Sequence, residues 1–187
     1  MDDDQFAACL QAARQRDELA ITALYDQFAT RVHAYLYYRI GDLNEADDLV
    51  EDVFLRMLEA IGSCRAQTKA SFAAWMFRIA HNMAVNWFKR RSRHPVEALT
   101  EALPDPSDAP GDQVEQRLSY QRLRQAMAGL TDDQREVVLL RFVGGMSSMQ
   151  VAQMIHTSEG AVKALQHRAL ATLRRALTHD EGAHDEG

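Results

Sequence analysis

Apolar residues recur at helical spacing along most of this chain, and the run from Ser71 to Arg91 is the clearest case. Phe72, Met76, Ile79, Met83 and Trp87 lie three or four residues apart and share one face. A second stripe of the same helix holds Arg78, Asn82, Val85 and Lys89, with His81 beside it and no carboxylate. Earlier, Phe6 to Arg16 reads as a short helix behind an acidic end open to disorder. Leu19 to Arg39 reads as a longer one rich in aromatic residues. Gly41 stops it, and Asp42 or Asn44 is placed to cap the next helix, which runs through EADDLVEDVFLRMLEAI. There Ala46, Leu49, Val50, Val53, Phe54, Met57, Leu58 and Ile61 form the apolar face. Asp48, Glu51, Asp52, Leu55 and Glu59 lie elsewhere on the surface, with Asp47 near the start. Gly62 to Lys69 reads as a polar, basic loop.

After Arg93 the pattern changes. Pro95 to Asp112 contains all four prolines and only acidic charge, and it reads as a linker largely without helix. A helix from Val114 to Ala128 follows, ending at Gly129, and Thr131 caps another that reaches about Phe142. The sequence GGM turns, Ser147 or Ser148 caps a short helix to Ile155, and HTS leads into a last helix from Glu159. Ala152 lets the last two helices approach, while Val151, Ile155, Val162 and Leu165 fill their junction. Lys163, Gln166, His167 and Arg168 stay polar at the front of the second, the part of a helix-turn-helix that enters the major groove. The expected fold is all-α: two small helical domains joined by an acidic, proline-containing linker, the second carrying a helix-turn-helix.

Composition agrees, with nine glycines and four prolines in 187 residues. No apolar run approaches the roughly 18–20 residues of a membrane span, and the start MDDDQ is not a signal peptide. Cys9 and Cys64 sit in no ligand-spacing pattern and read as free thiols, which with the missing span points to the cytoplasm. The net charge of −6 is arranged in blocks. Residues 1–60 carry −8, 61–95 carry +7, 96–116 carry −6, 117–177 carry +5 and 178–187 carry −4. Two basic blocks around an acidic linker suggest two nucleic-acid contacts, and the acidic segments would weaken unassisted DNA binding.

The second stripe of the Ser71–Arg91 helix suits that chemistry. An amide bonds a base edge, and Arg or Lys bonds phosphate. Phe77 and Phe88 flank the stripe and are placed to stack on unpaired bases. Against this stands an amphipathic helix whose aromatics are core and whose charges are merely solvated. The acidic face of the preceding helix serves either solubility or docking of a basic partner. Neither His33 nor His81 has a carboxylate three residues before it, so the Glu-x-x-His pairs of a di-iron bundle are missing. No nucleophile–base set or phosphate loop supports an enzyme. No catalytic residue, cofactor or metal ligand is expected.

Together these motifs resemble a bacterial RNA polymerase sigma factor of the extracytoplasmic-function (ECF) group, from about Phe6 to Leu177. The first half of the likeness rests on ADDLVEDVFLRML followed by FAAWMFRIAHNMAVNWFKRR. The second rests on LTDDQREVVLLRFVGGMSSMQVAQMIHTSEGAVKALQHRALATLRRAL. The resemblance implies a region 2-like domain over 1–94, a linker over 95–113, a region 4-like domain over 114–178 and an acidic tail over 179–187. It implies that Asp48, Glu51, Asp52 and Leu55 bind the clamp helices of the largest polymerase subunit. Arg78, His81, Asn82, Lys89, Arg90 and Arg91 would engage the melted −10 element, with Asn82 helping to hold a flipped base. Ser158, Lys163, Ala164, Gln166, His167 and Arg168 would serve the −35 element. Core RNA polymerase, through clamp helices and beta flap, and promoter DNA are the implied partners, with an anti-sigma protein as a further one. The chain departs from many relatives in having Glu-Gly-Ala-Val where they have a Gly-Thr-Val form, so Ala161 lacks a hydroxyl for phosphate. A stand-alone helix-turn-helix regulator is the rival reading, with residues 1–92 as a dimerisation or sensing domain. A metal-dependent hydrolase is a third.

Overall fold

A computed structural model describes residues 1–93 and 122–181, and every regular element among them is helical. The expected linker over Pro95–Asp112 and the start of the Val114 helix lie outside the described residues. Helix α1 spans Asp3–Arg14. Asp2 accepts a hydrogen bond from the Gln5 backbone N–H, and the Gln5 side chain accepts from that of Asp2. The acidic start is therefore a capping box, not a disordered end, because two otherwise unpaired backbone donors find partners there. Helix α2, Glu18–Ile40, is capped by Asp17 and ends where Gly41 adopts a left-handed φ of 83°. Asp42, not Asn44, caps α3, which spans Leu43–Ala60. Helix α4 runs over Lys69–Arg93.

The first domain closes on α2, which packs against α1, α3 and α4. Phe6, Phe28 and Phe72 meet at ring-centroid distances of 5.3–6.3 Å, largely edge to face, and all three are fully buried. This arrangement suits the ring quadrupoles and excludes water from the junction of α1, α2 and α4.

In the second domain, residues 122–128 form α5 and Asp132–Val138 form α6, which opens on a Thr131–Gln134 capping box. The sequence suggests an unbroken helix to Phe142. Instead the chain widens into a π turn over Leu139–Val143, closed by Gly144 N–H to Leu139 C=O at 2.9 Å and Met146 N–H to Leu140 C=O at 3.1 Å. Gly144 permits this, since a Cβ there would sit 2.5 Å from the Leu140 oxygen. Helix α7, Ser148–Met154, is capped by Ser147, and His156 takes the turn at φ 56°. Helix α8 spans Glu159–Glu181, beyond the expected end near Leu177.

The two domains touch. Glu136 on α6 is 4% exposed, the only buried charged side chain among the described residues. Its Oε1 accepts from the Tyr35 hydroxyl at 2.7 Å and lies 2.8 Å from His81 Nδ1, which must donate to a carboxylate. Its Oε2 accepts from Arg39 Nε. Arg31 donates through Nε and Nη2 to the Val143 carbonyl at 2.9 and 2.8 Å, with its guanidinium over the Phe28 and Phe77 rings. Arg124 on α5 donates to the Gly41 carbonyl. The π turn is what aims the Val143 carbonyl at Arg31.

Burial pushes the Glu136 carboxyl up, but the bond and charge of His81, then Arg39 and Tyr35, outweigh it and hold the group below its ordinary 4.5. Burial, followed by the charge of Glu136, raises Tyr35 well above its ordinary 10.0. Glu136 thus contributes stability above the ordinary carboxylate range that fades as pH falls through its lowered value. Tyr35 contributes stability below its ordinary range that fades as pH rises. Unfolding midpoints taken between about pH 3 and about pH 11 should fall at both ends. Glu136→Gln should flatten the acid limb and Tyr35→Phe the alkaline one. Separately, Gly144→Ala should cost about 1–3 kcal/mol in urea unfolding, because the contact it creates is with backbone.

Candidate nucleic-acid interface

Helix α4 is set by its first turn. Ser71 N–H donates to Thr68 Oγ1 at 3.2 Å and Thr68 N–H to Ser71 Oγ at 3.0 Å, a reciprocal closure of the capping-box kind. The loop before it is not free. Arg14 Nη2 donates to the carbonyls of Cys64 and Ala66 at 2.8 and 2.7 Å, pinning residues 64–66 to α1. With Phe72, Met76 and Trp87 buried on one side, Arg78, Asn82 and Lys89 stand exposed on the other, while Arg90 and Arg91 are exposed at the C-terminal end of the helix, Arg90 toward the groove beside α3. Arg91 lies over the Trp87 ring at 5.0 Å, and the Trp87 indole N–H donates to Glu45 at 2.7 Å.

Two of the expected α4 contacts differ. Phe77 cannot stack on a base, being fully buried against Tyr35 and beneath Arg31. Its place one residue after Met76 puts it on the core side as soon as α2 covers that flank. His81 is half-buried and turned toward Glu136. Phe88 is half-buried, with the Arg39 guanidinium 4.7 Å from its ring.

On α3 the residues Asp48, Glu51 and Asp52 are exposed, and Leu55 among them is 59% exposed. An apolar side chain displayed between carboxylates is what a protein partner would cover. A groove of about 450 Å³ between α3 and α4 is lined by Leu49, Asp52, Met83, Asn86, Lys89, Arg90 and Arg93. It brings one residue of the acidic face beside the basic end of α4.

In the helix-turn-helix, Val151, Ala152 and Val162 are buried and Ile155 and Leu165 partly so, as their spacing suggests. Lys163, Ala164, His167 and Arg168 are exposed at the front of α8. Lys163 pairs with Glu159 one turn earlier at 2.7 Å, an exposed pair of small energetic weight. Ser158 caps the helix, its Oγ accepting from Ala161 N–H at 3.1 Å. Gln166 is half-buried, and its carbonyl oxygen accepts from Arg141 Nε at 3.0 Å.

Sequence reasoning missed Tyr35, Arg39 and Glu136. A signal was there: Tyr35 and Arg39 are four apart on α2, and Glu136 is the only acid within the run EVVLLRFV. Nothing local says that the two features meet. Among the described residues no group of His, Cys, Asp and Glu is arranged to hold a metal ion. No helix among them is long and apolar enough to cross a membrane.

Residues 24–94 match the Sigma-70 region 2 family and residues 120–173 the Sigma-70 region 4 family. Among similar proteins, the ECF RNA polymerase sigma factor BldN of Streptomyces coelicolor is 37% identical over 91% of this chain, which spans 65% of that relative's length. ECF RNA polymerase sigma factor SigX of Bacillus subtilis is 30% identical over 82% of this chain and 81% of its own. Of solved structures, CnrH in complex with the cytosolic domain of CnrY has a TM-score of 0.67 at 21% identity, covering 93% of this chain and 97% of that one. The sigma factor RpoE with the anti-sigma factor NepR from Bartonella quintana has a TM-score of 0.65 at 20% identity, covering 84% and 96%. Those two likenesses concern the fold. The two matched regions in this order, together with a relative 30% identical over about four-fifths of both chains, show the family: the chain belongs to the ECF group of bacterial sigma factors, which direct promoter-specific initiation of transcription.

Proposed function

We propose that this chain binds core RNA polymerase through the α3 face, captures the −10 element of a melted promoter on α4, and reads the −35 element with the front of α8. The observation that carries the reading is the exposed, carboxylate-free stripe of Arg78, Asn82 and Lys89, positioned by a buried aromatic face. Asn82 is the group able to bond a base edge, and its basic neighbours hold phosphates. Asp48, Glu51, Asp52 and Leu55 form the polymerase-docking face. Ser158 reaches the −35 backbone as the first turn of α8 does, and Lys163, Ala164, His167 and Arg168 meet its bases and phosphates. Domain boundaries follow: residues 1–94 for polymerase and −10, 114–178 for −35, and 95–113 between them.

Holding both domains on one polymerase makes the two promoter contacts effectively intramolecular, which raises their joint affinity. Capture of unpaired bases shifts the melting equilibrium without any bond being made or broken. No catalysis is assigned to the chain, and its place of work is the cytoplasm. Its structural neighbours are complexes with CnrY and NepR, and an anti-sigma partner suits the exposed Leu55, Phe142 and Met149 here.

Mixing the protein with core RNA polymerase, followed by size exclusion and transcription from a pool of promoter fragments, should give co-elution and selective initiation. Binding of two-fold duplex sites by the chain alone as a dimer, without co-elution, would replace this reading by a stand-alone regulator. Asn82→Ala should cost roughly 1–3 kcal/mol in open-complex stability, read by the half-life of heparin-resistant complexes. Arg168→Ala should weaken duplex −35 binding across sequences and lower the salt slope by about one unit.

A further inference from the structure

Tyr35, Arg39 and His81 form a three-donor pocket on the first domain, and the proposed promoter contacts leave it unused. One permanent cation, one phenol and one imidazole N–H converge on two oxygens of a single anion, which in this structure is the Glu136 carboxylate of the second domain. His81 lies between Arg78 and Asn82 in the α4 sequence, so the pocket opens beside the stripe read above as the DNA face. The guanidinium of Arg39, with the Tyr35 hydroxyl and the His81 N–H, suits a phosphodiester as well as a carboxylate, each being a monoanion with two acceptor oxygens.

The rest of the interface holds the carboxylate in place. Arg31 clamps the Val143 carbonyl, seven residues after Glu136, and Arg124 the Gly41 carbonyl. When the domains part, Arg39 loses its anion while remaining charged, and such a group is costly unless another anion or water replaces it. A DNA strand lying along Arg78, Asn82 and Lys89 supplies that anion.

We propose that Tyr35, Arg39 and His81 form a binding site for a backbone phosphate of single-stranded promoter DNA, and that Glu136 occupies it as an internal competitor while the domains are closed. This rests on the reading of α4 as the DNA face. The domain that reads −35 thereby masks part of the surface that captures −10. Polymerase, by separating the domains, unmasks it.

The test uses the full chain, without polymerase, and a fluorescein-labelled 20-nucleotide single-stranded DNA of mixed sequence. Affinity is read by anisotropy and domain separation by the radius of gyration from small-angle X-ray scattering. Glu136→Gln should enlarge the radius and tighten DNA binding by about tenfold, since the competent fraction rises. Arg124→Ala, which leaves the pocket intact, should do the same by a second route. In the Glu136→Gln background, Arg39→Gln should abolish the gain and reduce the salt slope by about 0.7, the share of one phosphate on a single strand. Tyr35→Phe should remove part of it. Circular dichroism checks that each variant is folded.

Unchanged radius and affinity in both Glu136→Gln and Arg124→Ala would overturn the internal competitor. Opening without dependence of DNA affinity on Arg39 would overturn the phosphate site. Arg78→Ala in the open background separates this failure from that of the α4 reading. If Arg78→Ala weakens binding and Arg39→Gln does not, only the pocket is wrong. If neither matters, the α4 face is wrong as well.

Discussion

A carboxylate buried between two domains is the constraint on which this arrangement depends. Glu136 is removed from water, and an isolated charge there would be costly. It is tolerated because Arg39 neutralises it and Tyr35 and His81 complete its hydrogen bonding. Each of those partners belongs to the other domain. Closure takes Glu136 out of water, and these first-domain partners compensate for its desolvation. Buried pairs of this kind add little net stability beyond what apolar packing would give, but they are demanding about geometry. Glu136 accordingly defines which surface of α2 and α4 the second domain covers.

Helix α2 carries most of that geometry. One of its faces builds the aromatic core with α1 and α4, and its Arg31, Tyr35 and Arg39, spaced by four residues, form the ridge the second domain sits on. The π turn is the matching element across the interface. Its last residue, Val143, leaves a carbonyl unpaired at the helix end, and Arg31 bonds it. Gly144 makes the tight exit possible. One irregularity in the second domain and one regular ridge in the first thus meet.

The functional faces are kept apart from this junction to different degrees. The acidic face of α3 and the front of α8 are open. The stripe on α4 is open at Arg78, Asn82 and Lys89 but interrupted at His81, where the second domain reaches in. The polar contacts across the junction go to two carboxylates, Glu136 and Asp132, and two carbonyls, and each is exchangeable for a contact to water or phosphate.

The sequence by itself determined a great deal. Helical periodicity located α1 to α4 and α6 to α8, because burial of a stripe is a local demand that each segment states in its own spacing. The Thr131 cap was legible for the same reason, those at Asp42 and Ser147 only to within a pair of candidates, and the exposed stripe on α4 followed from the buried one. Tertiary structure alone decided what lies across distance. Phe77 was expected at the DNA surface and is core, since only the approach of α2 buries it. The carbonyl oxygen of Gln166 is bonded by Arg141, twenty-five residues away, a pairing that no local spacing announces. The fate of Glu136 depends on which partner arrives from the other domain, about a hundred residues away in sequence. Periodicity records which face of a helix avoids water, and it carries no information on what covers that face.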